Sequence, residues 1–279
     1  MVAAAQTAND LTARYGDPDA EQFVVRPGIT MMAKYADDRT ACEMLIEPKR
    51  SIQRRDHKEQ SMATDKVSEI INELIPESER GILLSHGIED MGAAEFLFAE
   101  YQNVTISQYF VRYLPPNHDE KSATIIRNDR LCKSAIAPQE QVPAIELNAA
   151  DLHTRYGESV MQRFVVHPGI TLMATYGRDA AACRMVVEPT RSIIPQDEPA
   201  EYMRPEVVTE IIDEILPEAD RGKLVLRTVT KSGCNEFETM DYENVTVSHF
   251  RHKCDFSKPE IEGAATVTRK NPACINGGN

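Results

Sequence analysis

The chain contains the same sequence twice, and this internal repeat limits what it folds into. The segment FVVRPGIT at residues 23–30 returns as FVVHPGIT at residues 164–171, an offset of 141 residues. The match needs no gap over the 100 positions from residue 11, and about 42 of them are identical. A solenoid unit has roughly 20 to 45 residues and needs neighbours to bury its core. The longer repeat seen here predicts two homologous domains in tandem.

A segment rich in Ala, Pro and Gln separates the two copies. We place the boundary within it, which gives a first repeat domain over residues 11–139 and a second over residues 140–279. Residues 1–10 are expected to be disordered or to be the remnant of a cleaved export signal. Ala3 and Ala5 are the reason, because alternating small residues are typical of the end of such a signal.

Both copies show the periodicity of one long amphipathic helix. In KVSEIINELIP the apolar residues recur at the spacing of a single helical face, and the second copy keeps the pattern. Thr64 or Asp65 is expected to cap the first helix, and Pro205 to occupy the opening turn of the second. The expected buried positions are Val67, Ile70, Ile71, Leu74 and Ile75 in the first copy, and Val208, Ile211, Ile212, Ile215 and Leu216 in the second.

Alternating apolar residues predict strands on either side of that helix. ITMMAKY and CEMLIEP form an early pair, and NVTISQYFV and SATIIR follow the helix. The predicted fold class is therefore α+β, with two tandem homologous domains. Each domain is expected to have a mostly antiparallel sheet packed against one long amphipathic helix, plus a short N-terminal helix.

The repeated Pro-Gly pair predicts a type II turn, because Pro27 fixes its own φ and Gly28 tolerates the positive φ that follows. The backbone twist of that turn type does not match the twist of a tight two-residue hairpin. We therefore expect a corner that leads into the first long strand rather than the tip of a hairpin.

The chain carries a net charge of -13 at pH 7, and this disfavours phosphate backbones as partners. No apolar run is long enough for a membrane-spanning helix. One basic segment present only in the first copy is the candidate contact for a ligand or an acidic partner; its residues are Lys49, Arg50, Arg54 and Arg55. Its alternative is a solvated loop.

Six cysteines are present, and the repeat sorts them into pairs. Each copy has one early and one late cysteine at equivalent positions, and two further cysteines occur in the second copy alone. The predicted bridges are Cys42–Cys132, Cys183–Cys274 and Cys234–Cys254. Disulfides persist outside the reducing cytosol, so this pattern predicts a secreted or periplasmic protein.

Metal binding is the main alternative for the cysteines of the second copy. His249, His252, Cys254 and Cys234 are residue types that bind zinc. In a strand, however, His249 and His252 point to opposite faces, and no Cys-x-x-Cys or His-Glu-x-x-His motif accompanies them. The expected metal is therefore none, and no cofactor motif is present.

No nucleophile motif is present, and the sequence favours a protein without enzymatic activity. The candidate catalytic residues are His86 as a base with Asp90 or Glu95 to orient it. The second copy has Arg227 and Lys231 in place of His86 and Asp90. A hydrolytic site of this kind would lie in one copy or between the two copies, and the alternative is a polar loop.

Several charged residues occur in both copies, and we expect them to hold the shared fold through ion pairs and caps. The alternative is a binding site present twice. The pairs are Arg14 with Arg155, Glu47 with Glu188, Arg50 with Arg191, Arg80 with Arg221, and Glu95 with Glu236. A glycan acceptor pattern at Asn103 and Asn244 is expected inside strands that flank the core.

The first functional hypothesis is an exported, disulfide-stabilised tandem protein that binds a ligand or a protein partner. A hydrolase with a site around His86 is the second hypothesis, and a structural protein of the cell envelope is the third. The residues that differ between the copies are expected to carry whatever function is specific to one of them.

Overall fold

A computed structural model describes residues 7–49, 62–112, 118–128, 147–177, 180–190, 203–252 and 261–270, together with Cys274. The helices are α1 Ala8–Tyr15, α2 Thr64–Leu74, α3 Glu77–Arg80, α4 Ala149–Tyr156, α5 Pro205–Ile215 and α6 Glu218–Arg221. The strands are β1 Ala20–Arg26, β2 Ile29–Tyr35, β3 Ala41–Pro48, β4 Leu83–Asp90, β5 Ala94–Tyr101, β6 Val104–Arg112, β7 His118–Arg127, β8 Met161–His167, β9 Ile170–Tyr176, β10 Ala182–Pro189, β11 Leu224–Ser232, β12 Asn235–Tyr242, β13 Val245–His252 and β14 Ile261–Arg269.

The chain divides into two compact units. The first unit contains β1 to β7 with α2, α3 and α4, and the second contains β8 to β14 with α1, α5 and α6. Each unit has a seven-stranded antiparallel sheet, in the order β1-β2-β3-β7-β6-β5-β4 in the first and β8-β9-β10-β14-β13-β12-β11 in the second. Strands β4 and β11 are therefore outer strands with a single neighbour each.

The α+β prediction is wrong, because the described part of the chain is mostly β, with 56% strand and 23% helix. The predicted long helix packed on each sheet is in fact a helix of only 11 residues, α2 or α5. Each sheet has two strands that the sequence analysis did not identify, β4 and β5 in the first unit and β11 and β12 in the second, and these strands change the fold class.

The apolar positions expected on the helix of each copy are nonetheless buried, from Val67 to Ile75 and from Val208 to Leu216. Pro205 opens α5 as predicted. The predicted cap of α2 is wrong: the N-cap residue is Ala63, without a side-chain hydrogen bond, and Thr64 already lies inside the helix.

The first helix of each repeat lies in the unit of the other repeat. Leu11 of α1 is fully buried in the second unit, in a cluster that includes Phe164 of β8. Leu152 of α4 is fully buried in the first unit, in a cluster that includes Phe23 of β1. The two repeats thus exchange their first helices, and each unit is completed by a segment of the other repeat.

The Pro-Gly pair forms a hairpin tip, so the prediction of a corner is wrong. β1 and β2 are antiparallel, and Arg26 lies opposite Ile29 across the turn. Gly28 has the expected positive φ, of 79°. The pairing register of β1 and β2 shifts between Val24 and Arg26, which indicates a β-bulge. A bulge increases the local strand twist, and this allows a turn that does not itself match the twist of a tight hairpin.

One predicted disulfide is confirmed. Cys183 of β10 is bonded to Cys274, with 5.2 Å between their Cα atoms and 91 residues between them in sequence. Cys42 and Cys234 are also disulfide-bonded, and none of the cysteines in the described residues is free. The predicted pairs Cys42–Cys132 and Cys234–Cys254 each include one residue outside the described ranges.

The expectation that the two glycan-acceptor asparagines lie inside strands is not met, because both precede a strand in a turn. Asn103 Nδ2 donates a hydrogen bond of 2.9 Å to the carbonyl oxygen of Glu79. Asn244 Nδ2 donates one of 3.1 Å to the carbonyl oxygen of Asp220. Both side chains thereby fix the end of a short helix, α3 or α6, to the following strands.

Candidate functional site

The outer strands β4 and β11 are the main surface feature of the described structure. In β4 every residue except Gly87 is exposed, and in β11 every residue is exposed. A strand that packs on a core buries alternate residues, so exposure at nearly every position means that both faces of these strands are open. Neither strand contributes to the core.

Both outer strands expose large apolar side chains. Ile88 in β4 is 68% exposed and Val225 in β11 is 65% exposed. Soluble monomers rarely expose contiguous apolar patches, and such patches are typical of binding surfaces. The full set is Ile82, Leu83, Leu84, Ile88 and Met91 around β4, and Leu224, Val225, Leu226, Val229 and Phe237 around β11.

The direction of the backbone groups of β4 follows from its hairpin with β5. Met91 N–H donates to the carbonyl oxygen of Ala94 at 2.9 Å, so this pair is hydrogen-bonded within the hairpin. In an antiparallel ladder hydrogen-bonded and non-hydrogen-bonded pairs alternate. The N–H and C=O groups of His86 and Ile88 therefore point away from β5.

The same alternation applies to β11, where Ser232 lies opposite Asn235 at the end of the hairpin with β12. The outward residues of this strand are Arg227, Val229 and Lys231. They occupy the positions equivalent to His86, Ile88 and Asp90 in β4, because the copies are offset by 141 residues.

The two open edges differ in charge. β4 carries Glu89 and Asp90 and no Lys or Arg. β11 carries Arg227 and Lys231 and no Asp or Glu. The side chain of Arg227 is 62% exposed although it contacts Glu238 at 2.6 Å, and that of Lys231 is 73% exposed although it contacts Glu236 at 2.7 Å.

The candidate catalytic residues all lie on the β4–β5 hairpin. His86 is exposed and lies opposite Ala99, whereas Asp90 lies opposite Glu95. Asp90 Oδ1 accepts a hydrogen bond of 2.8 Å from Gly92 N–H. Four residues of extended strand place the Cα atoms of His86 and Asp90 about 13 Å apart. The hairpin thus brings Asp90 and Glu95 together and leaves His86 farther along the strand.

Of the candidate basic segment, only Lys49 lies in the described part of the chain. Its main-chain N–H donates a hydrogen bond of 2.8 Å to the carbonyl oxygen of Gly28, beside the turn between β1 and β2. Arg50, Arg54 and Arg55 lie outside the described ranges.

The residues considered for zinc have other partners. His249 is buried and its Nδ1 makes a short hydrogen bond with Glu262. His252 Nδ1 contacts Asn235 Oδ1 at 2.8 Å, and Cys234 is disulfide-bonded; Cys254 lies outside the described residues. No cluster of three or more metal-ligating side chains occurs among the residues described.

A buried charged network in the second unit was not predicted from the sequence. Glu238 is 3% exposed and accepts from Arg227 at 2.6 Å and from Arg251 at 2.8 Å. Arg251 also lies 3.5 Å from the fully buried Glu262, the partner of His249. Comparison of the two copies could have indicated this network, because the first copy has the apolar residues Leu97 and Phe110 at the positions of Glu238 and Arg251.

A second unpredicted network surrounds Glu21 in the first unit. Glu21 is 1% exposed and contacts His153 Nε2 at 3.2 Å and Arg39 Nη2 at 3.4 Å. Ser159 Oγ donates to Glu21 Oε1 at 3.1 Å. Burial, and then the charge of Glu21, raise the pKa of Tyr35 above its ordinary value. Arg39, His153 and Ser159 thus surround the carboxylate of Glu21. Because His153 belongs to α4, these contacts favour a role for Glu21 in holding α4 against the strands.

The charged residues common to both copies have structural contacts where they are described. Arg80 Nε donates to the carbonyl oxygen of Ile75 at 3.1 Å, and Arg221 Nε donates to that of Leu216 at 2.9 Å. Each arginine therefore caps the end of the preceding helix, α2 or α5. These contacts support the interpretation that the repeated charges maintain the fold.

Glu73 of α2 joins several contacts around α4. Its carboxylate accepts from Arg26 Nη2 at 2.6 Å and from Tyr156 Oη at 3.0 Å. Burial raises the pKa of Glu73, but these hydrogen bonds and nearby guanidinium groups outweigh it and hold the pKa below its usual range. In the second unit burial, followed by the charge of Glu214, raises the pKa of Tyr15 to about 12.

Comparisons with known proteins add little to this geometry. No family model matches the chain, and no curated protein matches it. Among solved structures, the chain aligns with a bifunctional GH43-CE from Bacteroides eggerthii at 7% sequence identity and a TM-score of 0.15. The alignment covers 93% of this chain, which spans only 29% of the length of that protein. A similarity this weak carries no argument about fold or function.

Proposed function

We propose that this chain is an exported, disulfide-stabilised protein that binds protein partners through its outer strands β4 and β11. The observation that carries the proposal is the exposure of both strands on both faces, with apolar side chains along each. An open edge accepts an extended segment of another chain, since main-chain hydrogen bonds supply affinity and alternate side chains supply specificity. An internal duplication of the domain gives one molecule two such edges.

Export is proposed from the cysteines. The bond between Cys183 and Cys274, and the bonded state of Cys42 and Cys234, favour an oxidising compartment such as the periplasm or the cell exterior. No helix in the described residues is long and apolar enough to span a bilayer.

Strand binding is better supported at β4 than hydrolysis. A base and the carboxylate that orients it need to lie within hydrogen-bond distance of each other, and His86 lies about 13 Å from Asp90 along the strand. A structural role in the envelope remains an alternative that uses the same open edges, with an envelope protein as the partner.

The test uses a phage-displayed library of random peptides of about nine residues, the length of a sheet strand, selected on dilute immobilised protein. We expect enrichment of peptides with alternating apolar residues. Their binding should be lost in the double variant Ile88→Pro with Val229→Pro, because proline removes the outward N–H of each edge.

The matched control is Ile88→Thr with Val229→Thr, which keeps both backbone donors and a strand-forming side chain. Binding should persist in this control at reduced affinity. Failure to enrich any peptide, or equal binding to the proline and threonine variants, contradicts strand addition at these edges.

A further inference from the structure

Arg269 in the second unit is a buried arginine with two unsatisfied donors. It is the last residue of β14 and is 7% exposed. Its Nε and Nη2 atoms are both buried, and neither has a hydrogen-bond acceptor in the described part of the chain. Of the described side chains, it is the one with two such atoms. A buried donor without an acceptor costs free energy, and a buried charge without a partner costs more.

The neighbours of Arg269 are apolar. It shares the buried face of β14 with Val267 and lies opposite Val245 of β13, and both valines belong to the core of the unit. Burial lowers the pKa of Arg269, and the charge of Asp220 offsets only part of that effect. The next residue along the chain, Lys270, is exposed. The guanidinium group therefore lies on an apolar face, close to the point where the strand reaches the surface.

Nε and Nη2 form one edge of the guanidinium plane, and this edge fits a carboxylate. Its two N–H donors match the two oxygen atoms of a carboxylate in a bidentate ion pair. The same unit contains an example, in which Arg163 donates to Asp19 from Nε at 3.0 Å and from Nη2 at 2.7 Å. The edge that binds a carboxylate in Arg163 is thus the edge that is unsatisfied in Arg269.

The first copy has an arginine at the same place in its sheet. Arg127 lies opposite Val104, as Arg269 lies opposite Val245. Arg127 is 1% exposed, and no buried nitrogen of its side chain lacks an acceptor. The two copies therefore have the same residue but differ in whether the protein satisfies the guanidinium group. This difference indicates a ligand site in the second copy alone.

We propose that Arg269 binds the carboxylate of a small organic acid at the end of β14. This site does not depend on the strand binding proposed above. A carboxylate satisfies both donors and neutralises the buried charge, whereas phosphate brings more negative charge close to Asp220 and binds more weakly. The neighbouring valines favour an acid with an apolar group, because a ligand site combines apolar contacts with a few placed polar groups.

The test measures whether carboxylates stabilise the full chain. A ligand that binds only the folded state shifts the unfolding equilibrium by about a hundredfold when its concentration is a hundred times Kd. We expect benzoate and hexanoate to stabilise the wild type in urea unfolding, acetate to stabilise it less, and chloride at equal ionic strength to have no effect. In NMR spectra, benzoate should also shift the Nε–H resonance of Arg269.

Variants then locate the effect. Arg269→Lys keeps the charge but removes the two-donor edge, so it should weaken benzoate binding roughly tenfold or more. The matched control Arg127→Lys should leave that binding unchanged. Asp220→Asn keeps the guanidinium group and should tighten binding, because it removes a nearby negative charge.

Three results would overturn the carboxylate site. The first is that none of the acids stabilises the wild type or shifts the Arg269 resonance, which would mean that water satisfies the two donors. The second is equal stabilisation of the wild type and Arg269→Lys by benzoate. The third is binding of phosphate as tight as that of benzoate. None of these results bears on peptide binding by the outer strands, so the two proposals fail separately.

Discussion

The guanidinium group of Arg155 donates a hydrogen bond of 2.9 Å to the main-chain carbonyl oxygen of Glu73. Arg14 makes the equivalent bond of 2.6 Å to the carbonyl oxygen of Glu214. Each bond joins the first helix of one repeat to the 11-residue helix of the other. The carbonyl groups in the last turn of a helix lack intrahelical partners, so these arginines satisfy them while they fix the exchanged helices.

The exchange predicts which unit a substitution in α1 weakens. Leu11→Ala removes a fully buried side chain from the second unit and should cost about 2 to 5 kcal/mol of stability. Hydrogen exchange should then accelerate in β8 to β14 well before β1 to β7. The matched variant is Leu152→Ala, which should accelerate exchange in β1 to β7 first. Faster hydrogen exchange in the opposite unit for each variant would contradict the placement of α1 in the second unit and of α4 in the first.

Glu73 predicts a pH dependence of stability. Its folded pKa lies below the ordinary value of 4.5, so its contribution is present above that value and is lost as pH falls through the folded pKa. Glu73→Gln should therefore cost about 1 kcal/mol at neutral pH. The difference between wild type and variant in urea unfolding should shrink as the solution is acidified. A difference that stays constant down to pH 3 would show that the carboxylate charge is not responsible.

Glu21 predicts a strong effect of removing a buried charge. Glu21→Ala removes the buried carboxylate that contacts His153 and Arg39, and it should cost about 3 kcal/mol or more in chemical unfolding. Glu21→Gln is the control, because the second repeat has Gln162 at the equivalent position, where its Oε1 accepts from Tyr176 at 2.8 Å. The glutamine variant should be the more stable of the two. Equal stability of the two variants would show that hydrogen bonding by the side chain at position 21 does not stabilise the fold.

The disulfide between Cys183 and Cys274 predicts a loss of stability when both residues are changed to serine. The bond links residues 91 apart, and the chain-entropy model assigns about 4.6 kcal/mol to a loop of that size. Denaturant unfolding measures the loss. Mass spectrometry of unreduced wild-type protein is the companion measurement, and a mass that accounts for six free thiols would contradict the proposed compartment.

The sequence predicts the elements that bury a regular face. β2 has the expected limits and β3 begins one residue before the expected strand, and Met31, Met44 and Ile46 are buried as the alternation requires. Strands β4 and β11 were not predicted for a physical reason. Both of their faces are exposed, so their sequences do not need to alternate apolar and polar residues. Missing them, and their neighbours β5 and β12, led to the wrong fold class.

The exchange of the first helices lies beyond sequence patterns for a different reason. The two repeats are similar enough that α1 and α4 present nearly the same apolar face, with Leu11 and Leu152 at equivalent positions. Either helix therefore matches either sheet. The candidate site, in contrast, could be found from the sequence. The aligned copies differ at His86 and Arg227 and at Asp90 and Lys231, and these residues lie on β4 and β11.

Site-resolved hydrogen exchange at Ile88 and Val229 tests the central claim, that β4 and β11 are open edges that accept a strand. In dilute protein the account predicts exchange near the unprotected rate at these two amides, and slower exchange at Gly87 and Thr228, which face the neighbouring strands. A saturating amount of a selected peptide should then slow exchange at one or both outward amides. Protection of both amides in dilute protein, or exchange that remains fast with the peptide bound, would contradict the claim.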